Sequence, residues 1–231
     1  MAAMARARLT GGLWGRVCCA PVAHVSPWIA FPCGTRFATI SRPQELHRHR
    51  KRLEHFGDAP QGDTKTLGDC RQLLKDEDWF ARKVAVDTIA KVSMKGDETQ
   101  LSLLYTALED DDIFVREAAV DAVVQVAQQK DAVAISKVSV CLGDEDCFVR
   151  CRAVVALGRL SGPDAQLLTL LLEMLQDGFV PVRKRAIEAL VTLSTRDDAP
   201  DPRDGVDVTS RLRTVSQQDS DRGVREEAKK A

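Results

Sequence analysis

The chain has 231 residues, 44% hydrophobic but only 5% aromatic, with a formal net charge of -1. Leu, Val and Ala therefore carry the apolar mass, which suits many small helix-to-helix contacts. The charge is segregated: residues 1–63 hold nine Arg and Lys against four acids, leaving 24 cations and 30 acids for 64–231, an acidic body poorly suited to a general polyanion-binding role.

From Met1 to Gln44 there is no acid, while five arginines are spread among small and hydroxylated residues. Two readings of residues 1–40 are open. One is a transit peptide, cationic and free of carboxylates, with Arg36-Phe37-Ala38 in the form of a mitochondrial processing site; this places the protein in a mitochondrion or another organelle. The other is a plain disordered arm, which leaves it in the cytoplasm. The uncharged run from Val17 to Thr35 has about the length of a membrane span, but Pro21, Pro27, Pro32 and His24 interrupt it, so no transmembrane helix is expected.

Residues 41–63 form the next unit. Ser41-Arg42-Pro43-Gln44 has the form of a capping box with Pro in the first turn, and a basic helix over 42–56 is expected to follow, ending at Gly57. Its Leu46, Leu53 and Phe56 suit a seal on the open end of a helix stack. A basic arm for nucleic acid or anionic lipid is the alternative.

Residues 64–231 repeat. LLKDEDWFARKVAVDTIAKV from Leu73, ALEDDDIFVREAAVDAVVQV from Ala107, CLGDEDCFVRCRAVVALGRL from Cys141 and MLQDGFVPVRKRAIEALVTL from Met174 share one pattern, with a degenerate fifth copy from Ser216. An Asp six residues before an Arg marks each copy: Asp76 and Arg82, Asp110 and Arg116, Asp144 and Arg150, Asp177 and Arg183, Asp219 and Arg225. The intervals between the Asp residues are 34, 34, 33 and 42.

Each copy reads as two helices joined by an acidic turn. Leu101, Leu104 and Leu108, or Leu168, Leu171, Leu172 and Leu175, mark the apolar face of the first. The second is predicted to bury Val115, Ala119, Val120, Val123 and Val126 in the second copy. The counterparts are Val149, Ala153, Val154, Leu157 and Leu160, then Val182, Ala186, Ile187, Leu190 and Leu193. Asp78, Asp112, Asp146 and Asp221 stand as N-caps of the second helices, whereas Phe179 replaces the cap in the fourth and Pro181 supplies the start. One hairpin cannot bury both its apolar faces, so the copies must stack. The fold class is therefore all-α, an α-solenoid of about five hairpins.

The L-x-D-x-x-x-x-V-R-x-x-A pattern resembles the HEAT repeat, especially the short variety named after phycobilisome lyases. The resemblance implies that the Asp and Arg residues form a hydrogen-bonded ladder between repeats and that the second helices line a concave surface. It is nearly silent on activity, because the repeat occurs in scaffolds, adaptors, lyases and repair enzymes.

No constellation for chemistry is found in the repeats. His24, His47, His49 and His55 all precede residue 64, so a Ser-His-Asp or Cys-His pair is not available within the solenoid, and the iron-binding His-Glu pairs of HEAT-like deoxyhypusine hydroxylase have no counterpart. Of the cysteines, Cys70 and Cys141 fall on apolar helix positions. Cys151 follows Arg150 on a second helix and is the one candidate for a reactive thiol or bilin attachment. Asp110, Asp111 and Asp112 lie in an inter-helix turn and read as structural. No metal or cofactor is expected.

The outward positions of the second helices are the expected partner-binding residues: Lys83, Asp87 and Lys91; Glu117, Asp121 and Gln125; Cys151, Arg152 and Arg159; Lys184, Arg185 and Glu188. Phe80, Phe114 and Phe148 recur at the repeat period and are expected in the core, with Trp79 as a possible partner anchor. The expansion before the fifth copy, with Pro200, Pro202 and Gly205, reads as an exposed loop. Another protein is the expected partner and the expected function is a non-catalytic scaffold. A phycobilin-lyase-like enzyme or accessory and a nucleic-acid-binding solenoid are the alternatives.

Overall fold

The computed structural model describes residues 56, 59–196 and 207–231. Residues 1–40, the capping box at Ser41, the basic helix over 42–56 apart from Phe56, and the loop over 197–206 lie outside the described residues.

Ten α-helices and no strand occur among the described residues. They pair into five hairpins: α1 (Thr64–Leu73) with α2 (Trp79–Val92), α3 (Glu98–Ala107) with α4 (Ile113–Val126), α5 (Ala132–Val140) with α6 (Cys147–Leu160), α7 (Ala165–Glu173) with α8 (Val180–Ser194), and α9 (Val208–Gln218) with α10 (Arg222–Lys230). The second helices pack on one another in sequence, α2 on α4, α4 on α6, α6 on α8 and α8 on α10, and each first helix lies against its own partner. This is the stacked α-solenoid expected from the repeat.

Local chemistry sets the helix starts. Asp78, Asp112, Asp146 and Asp221 accept amide hydrogen bonds in the first turns of α2, α4, α6 and α10. At α8 the cap position is Phe179, which makes no side-chain cap bond, and Pro181 lies in the first turn. The first helices are capped as well, by Asp63, Asp97, Asp131, Asp164 and Asp207. That second set recurs in the sequence at nearly the same intervals as the ladder Asp residues.

A single apolar core runs from Leu67 to Ala228. The residues predicted to be buried in α4, α6 and α8 are all buried, with Val115, Ala119, Val149, Ala153, Val182 and Ala186 at 0% exposure. The small Ala one turn after each ladder Arg lets neighbouring second helices approach closely. The phenylalanines are a correction. Phe114 and Phe148 are 42% and 40% exposed, and Phe80 is half-buried. Each is the second residue of its helix, in a first turn that the neighbouring hairpins cover only in part, so recurrence at the repeat period did not make the position a buried one.

In the first three hairpins the open end is closed by backbone. The residue before the first-helix cap donates its amide to the end of the second helix: Gly62 to Val92, Gly96 to Val126 and Lys130 to Leu160, each at 2.7 Å. All three residues have positive φ, at 80°, 78° and 63°. In the fourth hairpin the equivalent residue is Pro163, which has no amide hydrogen and cannot take that conformation. There Arg196 reaches across instead, donating from Nη1 to the Ser161 carbonyl at 2.6 Å and from Nη2 to that of Gly158 at 3.2 Å. Gly96→Ala is expected to lower stability by about 1–2 kcal/mol, because a Cβ in the left-handed region is strained. Thermal unfolding followed by circular dichroism would check this, and an unchanged midpoint would show that the turn relaxes freely.

Candidate docking surface

The ladder arginines are consumed by the fold. Arg82 donates from Nε and Nη2 to the two carboxylate oxygens of Asp110, both at 2.8 Å, and from Nη1 to the carbonyls of Asp76 and Glu77. The same fork joins Arg116 to Asp144, Arg150 to Asp177 and Arg183 to Asp219. Each Arg thus grips its own turn through backbone and the next turn through its carboxylate. Arg225 holds the carbonyls of Asp219 and Ser220 in the same way. The ladder Asp residues also accept from the amide two residues on, as Asp76 does from Asp78, so the carboxylate is held rigid before the guanidinium arrives.

Burial pushes the Asp219 carboxyl up, but the Arg183 fork and the Asp221 amide outweigh it and hold Asp219 below its ordinary value of 3.8. For Arg116, burial pulls the guanidinium down and the Asp144 carboxylate more than offsets this, leaving it above its ordinary value. These residues are braces between hairpins, as the resemblance implied. They are not free to meet a partner.

Outward-facing residues of the second helices behave differently. Arg152, on α6, lies 2.8 Å from Asp121 and 3.7 Å from Glu117, both on α4, and its side chain remains 51% exposed. Lys83 pairs with Asp87 within α2, and Arg185 with Glu188 within α8. Burial raises the carboxyls of Glu117 and Asp121, which Arg152 draws only part of the way back. Lys91, Gln125 and Arg159 are exposed on the same layer, at the far ends of their helices. Lys184 is set apart from Arg185: a Cβ on Gly223 would come within 2.5 Å of its Nζ, so it lies over the start of α10. The structure therefore brings Lys83, Asp87, Glu117, Asp121, Arg152, Arg159, Arg185 and Glu188 onto one layer and turns Lys184 toward the last hairpin.

Cys151 lies half-buried on this layer and packs against the core. Burial raises its thiol above the ordinary value of 9.0, although Arg185 and Arg152 pull against that. A thiol so placed is a poorer source of thiolate, which runs against its reading as an activated nucleophile or bilin anchor. Cys70 and Cys141 are buried as expected, and burial pushes their thiols up to about 12 and about 11. Cys147 is buried too, at the start of α6.

An aromatic edge runs alongside the charged layer. Trp79 stands 5.6 Å from Phe80 and 5.1 Å from Phe114, ring centre to ring centre, and Phe148 stands 5.8 Å from Phe179. Trp79 thus joins the first two hairpins as one member of an aromatic set and does not act as an isolated anchor. On the opposite layer, the first helices leave a groove of about 660 Å³ between α5 and α7, lined by Ile135, Ser139, Pro163, Leu167 and Leu170. No helix among the described residues is long and apolar enough to cross a membrane.

Comparison with known proteins agrees with this architecture. YibA of Escherichia coli is similar at 16% identity and a TM-score of 0.58, over 84% of this chain and 75% of that one. A computationally designed armadillo repeat protein for modular peptide recognition is 20% identical with a TM-score of 0.54, over 81% and 92% of the two chains. A related design, in complex with the peptide (KR)4, is also 20% identical, with a TM-score of 0.53 over 82% and 92%. At such identities the likeness concerns the fold alone. No curated protein matches the sequence. A family model described as HEAT repeats matches residues 53–124, 115–191 and 135–231, and these segments with the Asp–Arg ladder make the chain a member of the HEAT-repeat family.

Proposed function

We propose that the chain is a non-catalytic protein-binding scaffold that uses the outward side of its second-helix layer. The observation that carries this reading is the solvent-facing charge on that layer. Arg152 bridges two hairpins through Asp121 and Glu117 while half exposed, although the ladder and the core already hold those hairpins together. Charges placed this way add little to stability and are suited to selecting a partner. The fold supports the same reading, since a stack of hairpins presents an extended surface and one designed neighbour is built for modular peptide recognition. The acid-free stretch from Met1 to Gln44 supports an organellar address for that partner.

Proximity labelling in the native cell, with the wild-type chain and with Arg152→Ala/Arg185→Ala, tests both compartment and surface. The variant is expected to lose labelled neighbours and, against a purified neighbour, about tenfold in affinity. Its stability is expected to change by no more than about 1 kcal/mol, since both side chains are about half exposed. An unchanged set of neighbours would remove the reading.

A further inference from the structure

The first three inter-helix turns carry one acid more than the fold uses. They read Asp76-Glu77-Asp78, Asp110-Asp111-Asp112 and Asp144-Glu145-Asp146. The first acid of each holds the turn, and in the second and third turns it also receives the preceding repeat's Arg. The third caps the second helix. The carboxylate between them has neither task. Glu77 and Asp111 are exposed, and Glu145 is 86% exposed with Arg116 Nη2 at 3.6 Å.

Three residues after each spare acid stands a phenylalanine: Phe80, Phe114 and Phe148. Phe114 and Phe148 are among the few large apolar side chains exposed in the described structure. The fourth and fifth turns lose both features together. Gly178 and Ser220 replace the acid, and Pro181 and Gly223 replace the phenylalanine. An acid and a ring that appear together and vanish together, the ring exposed in the second and third turns and half-buried in the first, form one strip, confined to the first three hairpins.

Within the turns the charge of this strip is one-sided, although Lys137 and Arg116 line one groove with Asp111 and Glu145. No cation occurs within residues 76–80, 110–114 or 144–148, and the arginines behind them are engaged in the ladder. Burial holds the Asp112 carboxyl above its ordinary value, although the Phe114 and Val115 amides and Arg82 draw it part of the way back. Exposed rings flanked by carboxylates suit the aliphatic stems and charged heads of Lys and Arg. Spacing narrows the partner further. Packed helices repeat at about 8–10 Å, and in a polyproline II segment every third side chain returns to the same side after about 9 Å.

We infer that the strip formed by Phe80, Phe114 and Phe148 with Glu77, Asp111 and Glu145 docks an extended basic segment of a protein partner, with an apolar side chain at every third position and Lys or Arg between. This rests on the protein-binding reading above and names the chemistry and the edge that it uses.

The test is fluorescence anisotropy on the full chain, with a labelled peptide of repeating Leu-Lys-Pro triplets and its Leu-Glu-Pro counterpart. The basic peptide is expected to bind and the acidic one not. Phe114→Ser/Phe148→Ser is expected to weaken binding about tenfold, and Asp111→Asn/Glu145→Gln to weaken it and flatten its dependence on salt. Because these side chains are exposed, the variants should keep the wild-type circular dichroism; if the phenylalanine variant does not, the acid variant decides. Failure of the basic peptide to bind, equal binding of the acidic one, or undiminished binding by folded variants would overturn the inference. A cellular neighbour retained by Phe114→Ser/Phe148→Ser but lost by Arg152→Ala/Arg185→Ala would overturn it as well while leaving the scaffold reading intact.

Discussion

Arg116→Ala is expected to destabilise the stack by about 3–5 kcal/mol, the range for removing one partner of a buried ion pair. Arg116 is 7% exposed, and its fork satisfies both oxygens of Asp144 at 2.9 and 3.1 Å. It also takes up the carbonyls of Asp110 and Asp111 at 2.8 and 3.1 Å. Truncation leaves the Asp144 carboxylate desolvated without its cation and frees two carbonyls in the preceding turn. The loss therefore exceeds what an exposed ion pair would contribute, which is about 0–1 kcal/mol. Arg116→Met/Asp144→Leu removes both charges and is expected to recover much of the deficit, since an uncompensated charge is the larger part of the penalty. Urea unfolding of both variants and both single mutants, arranged as a double-mutant cycle, measures this. A single mutant within about 1 kcal/mol of wild type would mean that water replaces the guanidinium and that the ladder does not brace the stack.

Leu157→Ala is expected to cost about 2–5 kcal/mol, by lost transfer free energy and the cavity left behind. Leu157 is fully buried in α6, in the middle hairpin, where α4 lies on one side and α8 on the other. The position matters as much as the volume, because each hairpin of a repeat array leans on its neighbours and a weak middle uncouples the two ends. At about 2–4 °C per kcal/mol for a chain of this size, the thermal midpoint should fall accordingly. Unfolding should also broaden, or separate into two steps, as cooperativity across the third hairpin is lost. An intact midpoint would show that α4 and α8 close over the gap.

Most of the helix inventory was legible in the residues. The Asp-to-Arg spacing of six and the intervals of 34, 34 and 33 placed the turns correctly, and the N-caps at Asp78, Asp112, Asp146 and Asp221 are where local chemistry put them. The first-helix caps carry the same signal and could have been found by the same alignment. The placement of Phe114 and Phe148 could not, because a period fixes which residues are equivalent and says nothing of which way they face. Their exposure is set by how much of each ring the neighbouring aromatic side chains cover. Lys184 shows the same limit: it adjoins Arg185 in sequence, yet it lies over Gly223 while Arg185 pairs with Glu188.

What the sequence determined alone is local and repetitive: the ten helices, their caps, their apolar faces and the need of each hairpin for a neighbour. Those follow from hydrogen bonds and burial patterns that act within one repeat. Tertiary structure decided which groups remain for a partner. Only the stack shows that the guanidiniums of Arg82, Arg116, Arg150 and Arg183 are spent on the next turn's aspartate, and that the middle acid and the phenylalanine of the second and third turns are left at the surface. The reason is geometric, since a side chain's availability depends on what the adjacent hairpin brings against it, at a separation of a full repeat along the chain.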